Sequence, residues 1–179
     1  MNRPCAFILS LSLPFFLATA SAAPPTLLPP IPNARIPIDG VLSGGQPTKD
    51  QIAAAGSAGY KTVINLRLDT EPGFEWEAAA VKAAGMAYVS IPVAGAAGLT
   101  KDNVIRLDAA LKEAAANGPI LLHCGSGNRI GAMLALRAAW VEGKDPAAAL
   151  DYGKASGLTG LEAAVKSMLE IAEPAPTPK

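Results

Sequence analysis

Ile120-Leu121-Leu122-His123-Cys124-Gly125-Ser126-Gly127-Asn128-Arg129-Ile130 runs from a short apolar segment, through a glycine-rich turn, into a second apolar segment. Three consecutive apolar residues after the breaker Asn117-Gly118-Pro119 predict a central parallel strand, buried on both faces. Ile130 to Val141 is apolar nearly all round, with Arg137 its only charge, which predicts a buried helix. In such a strand-turn-helix unit the turn's N–H groups converge, and the helix adds the positive end of its dipole. The unit is therefore an anion site.

The side chains of the turn suit that reading. Gly125 and Gly127 allow the close backbone approach a ligand-hugging loop needs. Ser126 adds a hydroxyl, Asn128 completes the loop, and Arg129 offers a planar fork for two oxygens of an oxyanion. Cys124, at the start of the turn, is surrounded by donors expected to favour its thiolate, the form that acts as nucleophile. A buried cysteine at a strand end is by itself often inert packing. Glycines at +1 and +3 and arginine at +5 argue for function. His123 is the only histidine and is read as a supporting residue behind the loop.

Outward from this unit, strands and helices alternate. Thr48-Lys49-Asp50-Gln51 is a capping box that starts a helix ending near Gly56 or Gly59. Lys61 to Leu66 reads as a buried strand, Glu75 to Ala84 as a helix stopped by Gly85, and Ala87 to Val93 as a strand. Thr100 caps a helix with Val104, Leu107, Leu111 and Ala114 at helical spacing. Asp145-Pro146 starts another helix, and Thr159-Gly160-Leu161-Glu162 reads as a second capping box. This order predicts an α/β fold, a mostly parallel central sheet flanked by helices.

The 179 residues suit one domain, and half of them are apolar, enough for a sizeable core. Lys plus Arg equals Asp plus Glu at fifteen each, without the basic excess of a nucleic-acid binder. Arg3, the apolar run Ala6 to Leu17 and Ala20-Ser21-Ala22 have the pattern of an export signal cut after Ala22. A membrane anchor wants ~20 apolar residues, and this run is shorter and broken by Pro14. An exported, periplasmic or secreted chain is expected. Removing residues 1–22 takes Cys5 with it and leaves Cys124 as the one cysteine, without a disulfide partner. With a single histidine besides, no metal site of the usual zinc kind is expected, and no cofactor. Residues 23–33 and 174–179 are proline-rich and read as linker and tail around a domain at 34–173.

The order His-Cys, glycine-rich turn, Arg resembles the cysteine-dependent protein-phosphatase superfamily. Leu42-Ser43-Gly44-Gly45-Gln46-Pro47-Thr48, Gly59-Tyr60-Lys61-Thr62-Val63-Ile64-Asn65-Leu66-Arg67 and Tyr88-Val89-Ser90-Ile91-Pro92-Val93 look like the beta-lactamase-hydrolase-like branch of dual-specificity-type phosphatases. The resemblance runs from about Ile36 to Val141. It implies a dual-specificity-phosphatase-like fold, hydrolysis of phosphate monoesters through a phosphocysteine at Cys124, oxyanion binding by Gly125 to Arg129, a phosphorylated protein or small molecule as substrate, and no metal.

The chain departs from the common pattern in three ways. Four residues, not the common five, separate Cys124 from Arg129, a count usual in rhodanese-type sulfurtransferases and found in some members of the resembled branch. Ile130 follows the arginine where many phosphatases have a hydroxyl. Ala94-Gly95-Ala96-Ala97-Gly98 holds no acid where the resemblance places an aspartate. Glu71 and Asp69 are then candidate general acids, with Glu75 and Asp102 behind them, although most carboxylates taken singly are solvated charges. A sulfurtransferase, or a phosphate- or phosphoprotein-binding module with weak catalysis, are the alternatives.

Overall fold

The computed structural model describes residues 31–171. The expected export signal and tail lie outside the described residues. A five-stranded sheet has the order β1-β2-β5-β3-β4. Its strands are β1 (Arg35–Ile38), β2 (Val41–Gly44), β3 (Thr62–Asn65), β4 (Ala87–Ser90) and β5 (Ile120–His123). Only the β1–β2 pair is antiparallel. The helices are α1 (Lys49–Ser57), α2 (Glu77–Ala83), α3 (Lys101–Ala115), α4 (Asn128–Trp140), α5 (Pro146–Ala155) and α6 (Glu162–Met168). The α/β fold with a mostly parallel sheet is as the alternation predicts.

Strand β5 is central, paired with β2 on one side and β3 on the other, and its four residues are buried. Side chains alternate across a strand. Ile120, Leu122 and Cys124 enter the larger core with α3 and α4, while Leu121 enters the smaller core with α1 and α2. That parity turns His123 toward α2 and Cys124 toward α4. Asn65, two residues after Val63 on β3, shares the α2 side by the same rule.

Local capping signals explain three of the six helix starts. Thr48 Oγ1 accepts from the Gln51 N–H at 3.2 Å, and Gln51 Oε1 accepts from the Thr48 N–H at 2.8 Å, completing the predicted box. Thr100 and Asp145 cap α3 and α5. The box expected at Thr159 does not form. Leu161 is the N-cap of α6 and gives no side-chain bond. The Thr159 N–H instead donates to Asn128 Oδ1 at 2.8 Å, and Glu162 pairs with Lys154 and Lys166. A tertiary acceptor on α4 outcompetes the local cap.

Packing also corrects the start of the domain. Ile31, read from sequence as linker, is 2% exposed and belongs to the smaller core. Helix α4 is fixed by close contact with α5 and the segment after it. A Cβ on Gly131 would stand 2.0 Å from the Leu158 nitrogen and 2.7 Å from the Gly153 carbonyl oxygen, both rigid backbone. Gly131→Ala should therefore cost roughly 3 kcal/mol, the upper range for overpacking, measured as a lower urea midpoint. An unchanged midpoint would show that α4 and α5 separate freely.

Candidate active site

The loop between β5 and α4 brings the sequence-predicted residues together. Cys124 is 1% exposed, and its Sγ accepts from the Gly127 N–H at 3.1 Å. Gly127 holds φ at 94°, a left-handed conformation that lets the chain turn tightly into α4. A Cβ on Gly125 would stand 3.3 Å from Arg129 Nη2, so a larger residue there would press on the guanidinium. The first N–H groups of α4 have no carbonyl one turn back within the helix. They therefore add donors to the turn in which Cys124 lies.

Arg129 is held from behind. Its Nη1 and Nη2 donate to Oε1 and Oε2 of Glu71, the second at 2.9 Å, so the carboxylate spans the end of the guanidinium. Nη1 also lies 3.3 Å from the carbonyl oxygens of Leu66 and Val93. Among the described residues no oxygen accepts from Nε. The Nε–Nη2 edge is thus left as a fork for two oxygens of an oxyanion. The arginine's pKa is raised, chiefly by its bond to Glu71, against its burial, with further contributions from the charges of Cys124 and Glu71.

Glu71 is consequently not a proton donor at neutral pH. Its carboxyl is lowered from 4.5 to about 2, chiefly by the bond from Arg129, against burial, and further by the Leu68 N–H and Arg67. The candidate acid of the sequence reading is an ionised anchor for the arginine. The other carboxylates proposed from sequence, Asp69, Glu75 and Asp102, are exposed. The loop Gly95–Gly98 is a 3₁₀ turn of glycine and alanine.

A buried polar network ties the anchor to the other end of the loop. Arg67 donates to Glu71 Oε2 at 3.1 Å, to Gln46 Oε1 at 2.6 Å and to the Pro72 carbonyl at 2.8 Å, with its guanidinium over the Phe74 ring. Gln46 donates in turn to Glu77 Oε1 at 2.9 Å. Glu77 Oε2 accepts from Asn65 at 3.1 Å and from the Tyr88 hydroxyl at 3.3 Å. Burial, above all, pushes the Tyr88 phenol up to about 12, which keeps it a donor.

His123 Nε2 lies 3.0 Å from Glu77 Oε1, and both side chains are fully buried. Neither ring nitrogen has an aligned hydrogen-bond partner, so the pair is a close contact rather than an aligned bond. His123 thus lies buried beside Glu77 on the α2 side of the sheet, as its strand parity requires.

Sequence reasoning missed Gln46, Asn65, Arg67 and Glu77. A signal for Glu77 was present, because it precedes Ala80, Val81 and Ala84 by three, four and seven residues, on the helix's inward stripe. Asn128, read as a phosphate ligand, turns its side chain away. Its Oδ1 accepts from the N–H groups of Thr159 and Leu161, in the segment after α5.

The Glu71 shift has a definite sign. A carboxyl lowered on folding stabilises the fold above its unfolded pKa and loses that contribution as pH falls through its folded pKa. Wild-type stability should carry a decline between pH 4.5 and about 2 due to Glu71. In Glu71→Gln, urea midpoints should be lower at pH 7 and the decline shallower. Superimposable pH profiles would contradict the anchor.

The chain resembles known proteins in sequence and in fold. The model of the beta-lactamase hydrolase-like protein, phosphatase-like domain, matches residues 39–141. Beta-lactamase hydrolase-like proteins of Xylella fastidiosa and Agrobacterium fabrum are 38% and 36% identical over 89 residues. That segment is 48% of this chain and 20% of each relative, so the chain covers only a fifth of their length. A DUF442 chain of Shewanella putrefaciens CN-32 aligns over 78% of this chain and 94% of its own, at 24% identity and a TM-score of 0.59. P. aeruginosa TpbA aligns over 74% and 80%, at 22% identity and a TM-score of 0.57. The two structures show a shared fold. From the match over residues 39–141, the chain belongs to the beta-lactamase hydrolase-like family and carries its phosphatase-like domain.

Proposed function

We propose that this protein is a cysteine-dependent phosphatase that hydrolyses phosphate monoesters through a phosphocysteine on Cys124. The observation that carries the reading is the placement of one thiol in a turn of N–H donors, beside an arginine whose Nε–Nη2 edge is open. In the first step Cys124 Sγ forms a bond to phosphorus as the ester P–O bond breaks. The leaving oxygen keeps the electron pair and is protonated from solvent. In the second step water attacks phosphorus and loses a proton, the P–S bond breaks with its electron pair returning to sulfur, and inorganic phosphate departs. Throughout, the loop amides and Arg129 hold the non-bridging oxygens and stabilise the charge that moves.

The same site bears on the substrate. A positioned acid is typically worth about 10²–10⁴ in rate. Glu71 is ionised, and the segment Ile91 to Leu99 has no ionisable side chain. Such a site favours leaving groups that depart as stable anions, phenoxides over alkoxides. The structure of P. aeruginosa TpbA in complex with pTyr fits an aryl phosphate in a related fold. Exported protein is part of the proposal, on the signal pattern at residues 1–22.

Purified protein should release phosphate from aryl phosphates, with kcat/KM falling at least 10²-fold from p-nitrophenyl to alkyl esters. Cys124→Ser should remove the activity. Equal rates on aryl and alkyl esters would contradict the missing acid, and an active Cys124→Ser would contradict the nucleophile. The secreted fraction should carry Ala23 as its N-terminus, which Edman sequencing reads. An intact N-terminus in the cytoplasm would contradict export.

A further inference from the structure

The outer flank of the catalytic loop is held by a segment that the phosphatase chemistry does not use. The Pro32 carbonyl accepts from the Gly45 N–H at 2.7 Å, and Gly45 forms an isolated bridge with Ser126. Asn33 Nδ2 donates to the Ser126 carbonyl at 3.0 Å. Asn33 has φ 54°, in the left-handed region that asparagine tolerates better than most residues. Its own carbonyl accepts from Arg35 Nη1 at 3.0 Å. Arg35 opens β1, which runs antiparallel to β2, so it stands at the end of the sheet where β2 and β5 lead into the loop. Its Cδ is 3.9 Å from the place a Cβ would take on Gly157, and that place is 3.2 Å from the Gly127 carbonyl oxygen.

Charge makes this flank distinctive. Arg67, Arg129 and Arg137 are all engaged by carboxylates. Arg35 is exposed, and among the described residues its guanidinium makes one hydrogen bond, to the Asn33 carbonyl. The opposite flank, after β3, carries Asp69, Glu71 and Glu75. With Glu71 already paired to Arg67 and Arg129, the exposed carboxylates Asp69 and Glu75 lie on one flank and Arg35 on the other, with its Nη1 held by the Asn33 carbonyl.

We propose that Arg35 forms a second anion subsite, which receives a carboxylate side chain next to the phosphorylated residue of a peptide substrate. The proposal rests on the phosphatase reading for what occupies the main loop. Successive residues of an extended peptide rise about 3.3 Å each, so with the phosphate anchored at Cys124 an acidic neighbour reaches the loop's flank. Anchoring also makes the second contact intramolecular, which favours it over a free ion pair. The fixed Nη1 leaves the rest of the guanidinium as a fork for that carboxylate.

The test uses the full chain carrying Cys124→Ser, which binds without turnover. Two phosphotyrosyl peptides, identical except for glutamate or alanine beside the phosphotyrosine, are titrated by fluorescence anisotropy. The acidic peptide should bind about two- to fivefold tighter, the range of an exposed ion pair, and the ratio should shrink as salt rises. Adding Arg35→Ala should bring the ratio to one, and adding Arg35→Glu should shift preference to a lysine-flanked peptide. A ratio of one before Arg35 is changed, or a ratio unchanged by Arg35→Ala, overturns the subsite. Binding of neither peptide overturns the subsite and the phosphatase reading together. Lack of turnover by wild type, with the binding ratio intact, overturns only the phosphatase reading.

Discussion

A guanidinium has more than one edge, and Glu71 occupies the one that points away from the loop. Both carboxylate oxygens are engaged, so Arg129 cannot rotate about its last bonds without breaking two charge-assisted contacts. That constraint aims the remaining edge. It also passes backward, because Arg67 bonds Glu71, Gln46 bonds Arg67, and Glu77 accepts from Gln46 beside His123. His123 precedes Cys124 in the chain. The two ends of the loop are therefore tied to one another by a circuit of polar side chains as well as by the loop itself.

Such a circuit is not an economical way to stabilise a domain. Taking charges out of water is costly, and well-packed apolar residues often do as well or better. What the network supplies is a single arrangement, since a half-satisfied buried network is worse than none. Glu77 illustrates this. It is 0% exposed, with Gln46, Asn65 and Tyr88 as donors, so glutamine in its place would turn a donor toward donors. The apolar cores on either side carry the fold, and the network sets the position of the loop. Arg137, paired with Asp108 and Glu142 on α4's far side, shows the same chemistry used for packing alone.

Much of this architecture was legible in the sequence because periodicity and local chemistry report it directly. The apolar run at Ile120, the box at Thr48 and the caps at Thr100 and Asp145 each depend on neighbours within a few residues, and each forms. The loop's strand-turn-helix frame was legible for the same reason. The rest depended on partners distant in sequence. Thr159 has the pattern of a cap but is claimed by Asn128, 31 residues away. Glu71 has the composition of an acid, and only Arg129, 58 residues away, makes it an anchor. Glu77 showed only by its place on the inward stripe of α2, and Gln46 and Asn65 lie in stretches whose family resemblance names no partner for them. Ile31 lay among prolines, which masked its apolar character. The sulfurtransferase alternative rested on loop length alone, a feature compatible with more than one chemistry. The family match over residues 39–141 favours the phosphatase.

In the proposed mechanism Cys124 Sγ takes the phosphoryl group while Arg129, fixed by Glu71, holds its oxygens. Acid quench of wild-type protein during turnover of an aryl phosphate, followed by peptide mass spectrometry, reads this directly. The account predicts one phosphoryl group on the peptide containing Cys124, accumulating in the steady state because Ile130 offers no hydroxyl to help the cysteine depart. Phosphate release with no adduct, or with the phosphoryl group on any other residue, would contradict it.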